Sequence, residues 1–146
     1  MVIRDWSSDV CSSDLEDAAA AGLWTMEDGK ARRDDMPDDL SLVARVRGRA
    51  PVVLTGCSHA GIVNILEQAA AMSGTRRFEN VIGGLHLVEA SDELIARTCE
   101  GLASFELRAI TAGHCTGFRA QYALRAAFGD AFSPLQTGMR FRIAAN

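Results

Sequence analysis

The sequence predicts an α/β fold, in which one sheet is covered by helices. Three short apolar runs each end in a glycine turn, and a helical pattern begins soon after each turn. Strands that alternate with helices in this way form a layered sheet, and parallel strands of one sheet end at the same edge. Each of the three histidines in the chain, His59, His86 and His114, follows one of these turns. We therefore expect all three imidazoles at one edge of the sheet.

Composition places the chain among globular domains of ordinary size. Of its 146 residues 48% are hydrophobic, and no apolar run approaches the roughly 20 residues that a membrane helix needs. The formal net charge of −4 provides no attraction to nucleic acid or anionic lipid. Four cysteines without a CxxC pair are typical of a reducing compartment. We expect a cytoplasmic protein with a small-molecule substrate, and neither nucleic acid nor membrane as a partner.

The first fifteen residues do not resemble a protein segment. The tripeptide Ser-Ser-Asp occurs twice, at 7–9 and 12–14, and no continuous apolar stretch of a signal peptide is present. Residues 5–15 are the translation, without a mismatch, of a common short-read sequencing adapter. We interpret residues 1–15 as adapter-derived and non-native, and we expect the natural gene to continue upstream of Glu16.

Residues 16–55 are predicted to form a loop followed by a hairpin. The polar stretch 16–39 is charged and contains Pro37, which argues against a helix. Its acidic pairs are interpreted as solvated surface in preference to a metal site. The apolar alternation over 40–46, the turn at 47–51 and the β-branched run 52–55 predict two antiparallel strands.

The remainder predicts three helices and three further strands. Helix one is expected over 60–72, and helix two begins at the N-cap residue Ser91, with anionic side chains in its first turn. Helix three is expected over 118–128 and ends at Gly129. The strands are expected near 80–82, 108–111 and 138–143.

The three histidines predict a metal site. In α/β proteins ligands bind in loops at the carboxyl ends of the strands, where His59, His86 and His114 are expected. A lone histidine at a helix start is more often a satisfied polar residue, but three coincident placements favour metal binding. Neutral imidazoles that converge on one point are good ligands for zinc, iron or a similar ion.

Two other chemistries are compatible with the same turns. Cys57 and Cys115 lie near histidines, and a cysteine–histidine nucleophile is conceivable, although adjacent residues on one turn usually point apart. Backbone amides in glycine-containing turns that precede helices can also bind phosphate. The residues expected to contact a phosphate or substrate are Ser58, Cys115, Thr116 and Gly117.

Three segments resemble one known family. They are TGCSHAGIVN at 55–64, IGGLHL at 82–87 and GHCTG at 113–117, with FGD at 128–130 and LQTG at 135–138 also similar. Together they resemble the metal-dependent hydrolases of the metallo-β-lactamase fold, and more closely the ribofuranosylaminobenzene-phosphate (dihydropterin) synthase-like branch. The resemblance extends over about residues 38–142.

This resemblance implies an αββα sandwich with one or two divalent metal ions between its sheets. The metal, zinc or else iron or manganese, activates water for attack on an ester, phosphoester or similar bond. His59 and His114 match histidine ligands of the family. His86 occupies the region where the fold usually has a bridging carboxylate, so it is either a third ligand or a substrate contact.

The chain departs from the family because the signature His-x-His-x-Asp-His is absent. We therefore expect residues 40–146 to form the C-terminal half of the sandwich, inactive in isolation and self-associating through an uncovered apolar sheet face. The alternative function is a non-catalytic α/β module that binds phosphate or a nucleotide. No Walker A or GxGxxG pattern follows a strand, and this weakens the alternative.

Overall fold

A computed structural model describes residues 2–3, 24–33 and 39–143. Its strands are β1 Val2–Ile3, β2 Trp24–Glu27, β3 Lys30–Arg33, β4 Ser41–Ala44, β5 Val52–Thr55, β6 Arg77–Phe78, β7 Asn80–Gly84, β8 Glu106–Leu107, β9 Ile110–Gly113 and β10 Phe132–Pro134. Its α-helices are α1 Ile62–Ser73, α2 Asp92–Ala103 and α3 Gly117–Phe128, and short 3₁₀ helices span His114–Thr116 and Gly129–Ala131.

Six strands form the central sheet, in the order β1-β4-β5-β7-β9-β10. Strands β5, β7, β9 and β10 run parallel to one another, whereas β4 is antiparallel to β5 and β1 is antiparallel to β4. The hairpin of β4 and β5 agrees with the sequence prediction. The α/β fold class, one sheet with covering helices, is thereby confirmed. A helix joins each parallel strand to the next, so the carboxyl ends of β5, β7 and β9 lie at one edge, called here the carboxyl edge.

The core lies between this sheet and its helices. Val43, Val53, Val81 and Ile110 are register neighbours across four strands, and each is at most 1% exposed. Helix residues cover this row; the largest fully buried ones are Ile62, Ile65, Leu66, Leu102 and Leu124. Each such side chain contributes about 1.5–3 kcal/mol by its burial. This core holds the three parallel strands, and therefore their carboxyl ends, in fixed positions.

Local sequence signals explain where α2 begins and where α1 ends. The hydroxyl of Ser91 accepts a hydrogen bond from the Leu94 amide at 3.2 Å, as expected of an N-cap. Helix α1 ends at Gly74, which adopts a left-handed conformation (φ 74°) and donates its N–H to the carbonyl of Ala70. Among the described residues, no helix is long and apolar enough to cross a membrane.

Two expectations are corrected by the structure. Within the stretch 16–39, predicted as a loop, residues 24–33 form an antiparallel hairpin of β2 and β3 with mostly exposed side chains. The last strand is β10 at Phe132–Pro134 and not 138–143, which contains no described strand. Proline is unusual within a strand, so Pro134 makes β10 hard to recognise from the sequence. It is tolerated here because β10 is an edge strand. Of residues 1–15, interpreted as adapter-derived, only Val2 and Ile3 are described, as β1 paired with β4, and residues 4–15 lie outside the described residues.

Candidate functional site

The three histidines lie where the sequence predicts them, at the carboxyl edge. His59 follows β5, His86 follows β7 and His114 follows β9, three adjacent parallel strands. Ser58, His86 and His114 have positive φ angles of 62°, 49° and 52°. Non-glycine residues rarely adopt this conformation, which costs on the order of 1–3 kcal/mol and persists only where surrounding structure enforces it. Such strain concentrates at functional sites, and here it concentrates at one edge of the sheet.

His59 and His86 form a ring pair. Their centroids are 4.4 Å apart and their planes are nearly perpendicular, at 85°. The Nδ1 atom of His86 is buried and has no hydrogen-bond partner within the described part of the chain. A buried polar atom without a partner costs about 1–3 kcal/mol, which a bound metal or ligand would offset.

The electrostatics of His86 favour the uncharged ring. Burial lowers the pKa of His86, and the neighbouring His59 lowers it further, while Asp39 and Glu89 act in the opposite direction. The neutral imidazole is the form that binds metal ions, because it has a free nitrogen lone pair. His86 is therefore available as a ligand at neutral pH.

Asp39 adds a carboxylate that the sequence interpretation assigned to a solvated loop. Its Oδ2 atom accepts the amide N–H of Ala60 at 3.5 Å, and its charge acts on His86. The sequence did contain a signal for this placement. Asp39 nearly adjoins the start of β4, and because β4 is antiparallel to β5, the residues before β4 lie beside those after β5. The amide of Gly56 correspondingly bonds to the carbonyl of Leu40 at 3.3 Å.

His114 lies with two cysteines. The ligand atoms of Cys57, His114 and Cys115 are all within 4.8 Å of one another, and this is the one such group of three found among the described residues. The Cys57 Sγ atom is 3.7 Å from Nδ1 of His114, and the Cys115 thiol donates to the carbonyl of Cys57 at 3.5 Å. The edge therefore holds two donor groups: the histidine pair beside Asp39, and the thiol cluster Cys57–His114–Cys115.

Gly84 makes the thiol cluster possible. Strand β7 lies between β5 and β9, so a side chain on β7 would separate the two turns that contribute the cysteines. A Cβ atom at Gly84 would lie 2.5 Å from the Cys115 Sγ and 3.3 Å from the Cys57 Cα. Because glycine has no Cβ, the sulfur of Cys115 occupies that space.

The Cys115 thiol is poorly suited to act as a nucleophile. Burial raises the pKa of Cys115 to about 11, and the adjacent Cys57 thiol contributes in the same direction. A nucleophilic cysteine needs a thiolate at neutral pH, which requires a lowered pKa. This finding weighs against Cys115 as the nucleophile of the cysteine–histidine chemistry that the sequence allowed.

Two of the residues expected to contact phosphate, Ser58 and Thr116, make hydrogen bonds within the protein. Ser58 is 1% exposed and its hydroxyl donates to the carbonyl of Gly84 at 2.6 Å. Thr116 is fully buried; its hydroxyl donates to the Gly113 carbonyl at 2.7 Å and accepts the Leu85 amide at 3.1 Å. These two hydroxyls join neighbouring turns to one another.

Gly117, also expected near a phosphate, is required by packing. Its φ is 73°, and a Cβ atom there would lie 2.7 Å from the Cα of Val88. Together with Thr116 it fixes the turn from β9 into α3, which weakens the interpretation as a phosphate-binding module.

The donor set at the carboxyl edge fits a divalent metal ion. It combines imidazole, carboxylate and thiol groups, and it includes the buried nitrogen of His86, which has no protein partner among the described residues. Imidazole and carboxylate suit zinc, iron and manganese, whereas sulfur favours zinc and other thiophilic ions.

No protein-family profile matches the chain. It is 34% identical over 124 residues to the 7,8-dihydropterin-6-methyl-4-(β-D-ribofuranosyl)-aminobenzene-5′-phosphate synthase of Methanocaldococcus jannaschii, a match that covers 85% of this chain and 42% of the relative. It is also 37% identical over 95 residues to an uncharacterized protein of the same organism, covering 65% of this chain and 34% of that protein.

A solved structure shows the same fold. It is the crystal structure of a metal-dependent hydrolase of the β-lactamase superfamily, with a TM-score of 0.76 and 30% sequence identity. The match covers 83% of this chain and 46% of that structure. The chain thus spans less than half the length of the synthase and of the solved hydrolase that it matches.

Proposed function

Since the chain has a metallo-β-lactamase-type fold and is related to the dihydropterin synthase-like branch of that superfamily, we propose that it forms part of a metal-dependent hydrolase or related transferase. The reaction class is attack on an ester, phosphoester or similar bond. The observation that carries this proposal is the histidine pair: two imidazoles in contact at the carboxyl edge, one with a buried nitrogen that lacks a partner among the described residues.

In this proposal His59 and His86 hold a divalent metal, and His114 belongs to the same metal-binding edge. When bound, the ion supplies Lewis acidity and lowers the pKa of water. His86 stays neutral because of its burial, and Asp39 provides a negative charge that favours a cation beside the pair. Zinc is the proposed ion, with iron or manganese as alternatives that the imidazoles also accept.

The chain provides only part of a complete dinuclear centre. The motif His-x-His-x-Asp-His, which supplies further ligands in the family, does not occur in it. We therefore propose that the 146-residue chain binds metal at the histidine pair weakly, and that it has no activity without those ligands.

The described cysteines are free thiols, in keeping with a reducing, cytoplasmic setting.

We propose that the chain self-associates through the sheet face that carries Leu42 and Leu54. Leu42 and Leu54 are register partners on β4 and β5, and each is 37% exposed. They face away from the core row of Val43 and Val53, because successive side chains of a strand point to opposite faces. Sedimentation of the wild-type chain and of the variant Leu54→Gln tests this, with a lower apparent mass expected for the variant.

Metal retention tests the proposed function. The variant His59→Ala/His86→Ala and the wild type are dialysed to equilibrium against a fixed concentration of free zinc, and the zinc per chain is then measured by mass spectrometry. The double variant is expected to retain less zinc per chain, while the control Cys99→Ser, a thiol on α2 outside both donor groups, retains the wild-type amount. Equal retention by the double variant and the wild type, with the fold intact by circular dichroism, would refute metal binding at the histidine pair.

A further inference from the structure

A cavity of about 580 Å³ lies at the end of the sheet opposite the carboxyl edge. Its lining includes residues that precede three parallel strands: Arg49 before β5, Glu79 before β7 and Arg108 before β9. Strands of four or five residues separate the two ends of the sheet by about 13–17 Å. None of the described residues that line the cavity belongs to the histidine pair or to the thiol cluster. The cavity is therefore separate from the proposed metal site.

Charged side chains of both signs surround this cavity. Its lining contains the arginines Arg49, Arg77 and Arg108 and the glutamates Glu79 and Glu106. The arginines outnumber the glutamates, although the whole chain has a formal net charge of −4. Positive charge thus prevails at this place in a chain that is negative overall, and this favours an anionic ligand.

Ion pairs position the arginines and leave N–H groups for a ligand. Oε1 of Glu79 lies 3.0 Å from Nη1 of Arg108 and 3.9 Å from Nη1 of Arg49. Oε2 of Glu106 accepts from Nε and Nη2 of Arg77 at 2.7 and 2.6 Å. These contacts involve neither Nη1 of Arg77 nor Nη2 of Arg108, and the N–H groups of these atoms can bind an oxyanion.

Backbone hydrogen bonds hold the segments around the cavity together. The amide of Glu79 donates to the carbonyl of Pro51 at 2.8 Å, and the amide of Arg108 donates to the carbonyl of Phe78 at 3.0 Å. The Glu79 side chain is only 16% exposed, so the charge that orients Arg108 is itself fixed in place. A site that is formed before binding loses little conformational entropy when a ligand arrives.

The size and the lining of the cavity favour a small organic phosphate over a bare ion. Small-molecule sites have volumes of about 300–1,000 Å³, and this cavity lies within that range. The buried rings of Phe78 and Phe105 form part of its lining, with centroids 6.1 Å apart, and provide contact for an organic group. Guanidinium groups from separate segments suit phosphate better than a carboxylate, because phosphate offers more oxygen atoms to bind.

We propose that this cavity binds the phosphate group of a small organic molecule through Arg77 and Arg108, while Arg49 adds a third positive charge. The ligand connects the segments that lead into β5, β7 and β9, and it stabilises the folded chain because it binds only that state. The site does not depend on the proposed hydrolase function, since it shares no residue with the histidine pair.

Binding of inorganic phosphate to the metal-free chain tests the proposal. The full chain is treated with a chelator, and radiolabelled phosphate is measured by equilibrium dialysis at an ionic strength held constant with sodium chloride. We expect saturable binding of one phosphate per chain, with a Kd of about 1 mM or lower. Glycerol phosphate is expected to displace the label, and acetate at the same concentration is expected to leave it bound.

A pair of matched variants tests the position of the site. Arg77→Gln/Arg108→Gln is expected to weaken phosphate binding by about tenfold or more, because it removes charge-assisted hydrogen bonds. Arg119→Gln/Arg125→Gln on α3 is the control, since it also removes two arginines that are ion-paired with aspartates. The control is expected to bind phosphate as the wild type does.

A gain of affinity keeps the test decisive if the arginine variant does not fold. The Glu106 side chain is 70% exposed, so Glu106→Gln leaves the core intact while it removes a negative charge beside Arg77. Phosphate binding is expected to become about fivefold tighter, equivalent to about 1 kcal/mol. An ion pair with a structural role alone would give no such gain.

Several results would overturn the proposal. They are a wild-type chain without saturable phosphate binding, equal displacement of the label by acetate, wild-type affinity in a folded Arg77→Gln/Arg108→Gln chain, and no gain in Glu106→Gln. Loss of binding in a folded, metal-free His59→Ala/His86→Ala chain would place the phosphate at the carboxyl edge and would also refute the site. Circular dichroism checks that each variant is folded.

Discussion

Replacement of Gly84 by alanine tests the packing on which the thiol cluster depends. The new Cβ atom would lie 2.5 Å from the Cys115 Sγ, 3.0 Å from the Gly56 carbonyl oxygen and 3.3 Å from the Cys57 Cα. Two of these neighbours are backbone atoms of the turn after β5, which cannot move without displacing that turn. Overpacking of this kind costs about 1–3 kcal/mol. The φ of Gly84 is not positive, so the cost comes from contacts and not from backbone conformation.

Two assays follow the consequence of this substitution. Urea unfolding is expected to show a loss of about 1–3 kcal/mol in the free energy of unfolding, with an unchanged m-value. The Cys115 thiol is expected to react faster with a thiol reagent in the folded chain, because the new Cβ displaces its sulfur from a half-buried position. Gly74→Ala is the matched control: a Cβ there meets nothing within 4 Å, although φ is 74°. It is expected to cost about 1 kcal/mol through conformation alone and to leave the reactivity of Cys115 unchanged.

The refuting result is specific. A folded Gly84→Ala chain with wild-type stability and wild-type reactivity of the Cys115 thiol would show that Cys115 does not occupy the space above Gly84. A loss of stability with unchanged thiol reactivity would show that the strand packs closely there but that this packing does not hold Cys115 in place.

Three further predictions concern the same edge. Thr116→Val leaves the buried amide of Leu85 without its acceptor and is expected to lower the free energy of unfolding by about 1–3 kcal/mol in urea; an unchanged midpoint would contradict this. Asp39→Asn removes a charge beside the histidine pair and is expected to weaken zinc binding there about fivefold, equivalent to about 1 kcal/mol, with Asp130→Asn as the exposed control, both measured by competition with a zinc indicator. Cys115 has its pKa raised from 9.0 to about 11, so its protonated thiol stabilises the metal-free fold below pH 9, and this contribution is lost as pH rises towards 11. The difference in unfolding free energy between wild type and Cys115→Ser should therefore shrink over that range, and a constant difference would argue against the raised pKa.

The placement of the histidines could be predicted from the sequence for a simple reason. A glycine after an apolar β-branched run ends a strand, and parallel strands joined by helices all end at one edge. His59, His86 and His114 each follow such a run, so their common edge required no knowledge of the strand order. The capping of α2 by Ser91 was equally local, because one side chain and one amide three residues later determine it.

The division of the donors into two groups could not be predicted, because it depends on contacts between turns. Cys57 and His114 lie on the turns after β5 and β9, two strands that β7 separates in the sheet. They come into contact because β7 has a glycine, Gly84, between those turns. Reasoning along the chain compared each cysteine with the histidine on its own turn and concluded that such neighbours usually point apart. That conclusion is wrong for His114 and Cys115, whose ligand atoms lie within 4.8 Å of each other. The same reasoning did not consider a histidine from another turn. Asp39 was missed for a related reason, since its proximity to the β5 turn depends on the antiparallel pairing of β4 with β5.

Hydrogen bonds connect the three turns of the carboxyl edge to one another, so the two donor groups are held in position together. The Gly84 carbonyl accepts hydrogen bonds from the hydroxyls of Thr55 and Ser58, which join the end of β7 to the end of β5. The Thr116 hydroxyl joins the turn after β9 to the amide that follows β7.

These cross-links explain why Ser58 and Thr116, two of the positions expected to contact phosphate, are buried small polar residues. A metal site tolerates little displacement of its ligands, so the turns that hold the ligands must be held to one another. Ser58 lies next to both Cys57 and His59, and Thr116 lies next to Cys115. Loss of either hydroxyl should therefore displace donor atoms at the carboxyl edge as well as lower the stability of the fold. We expect metal affinity to fall by more than the loss of stability alone would produce.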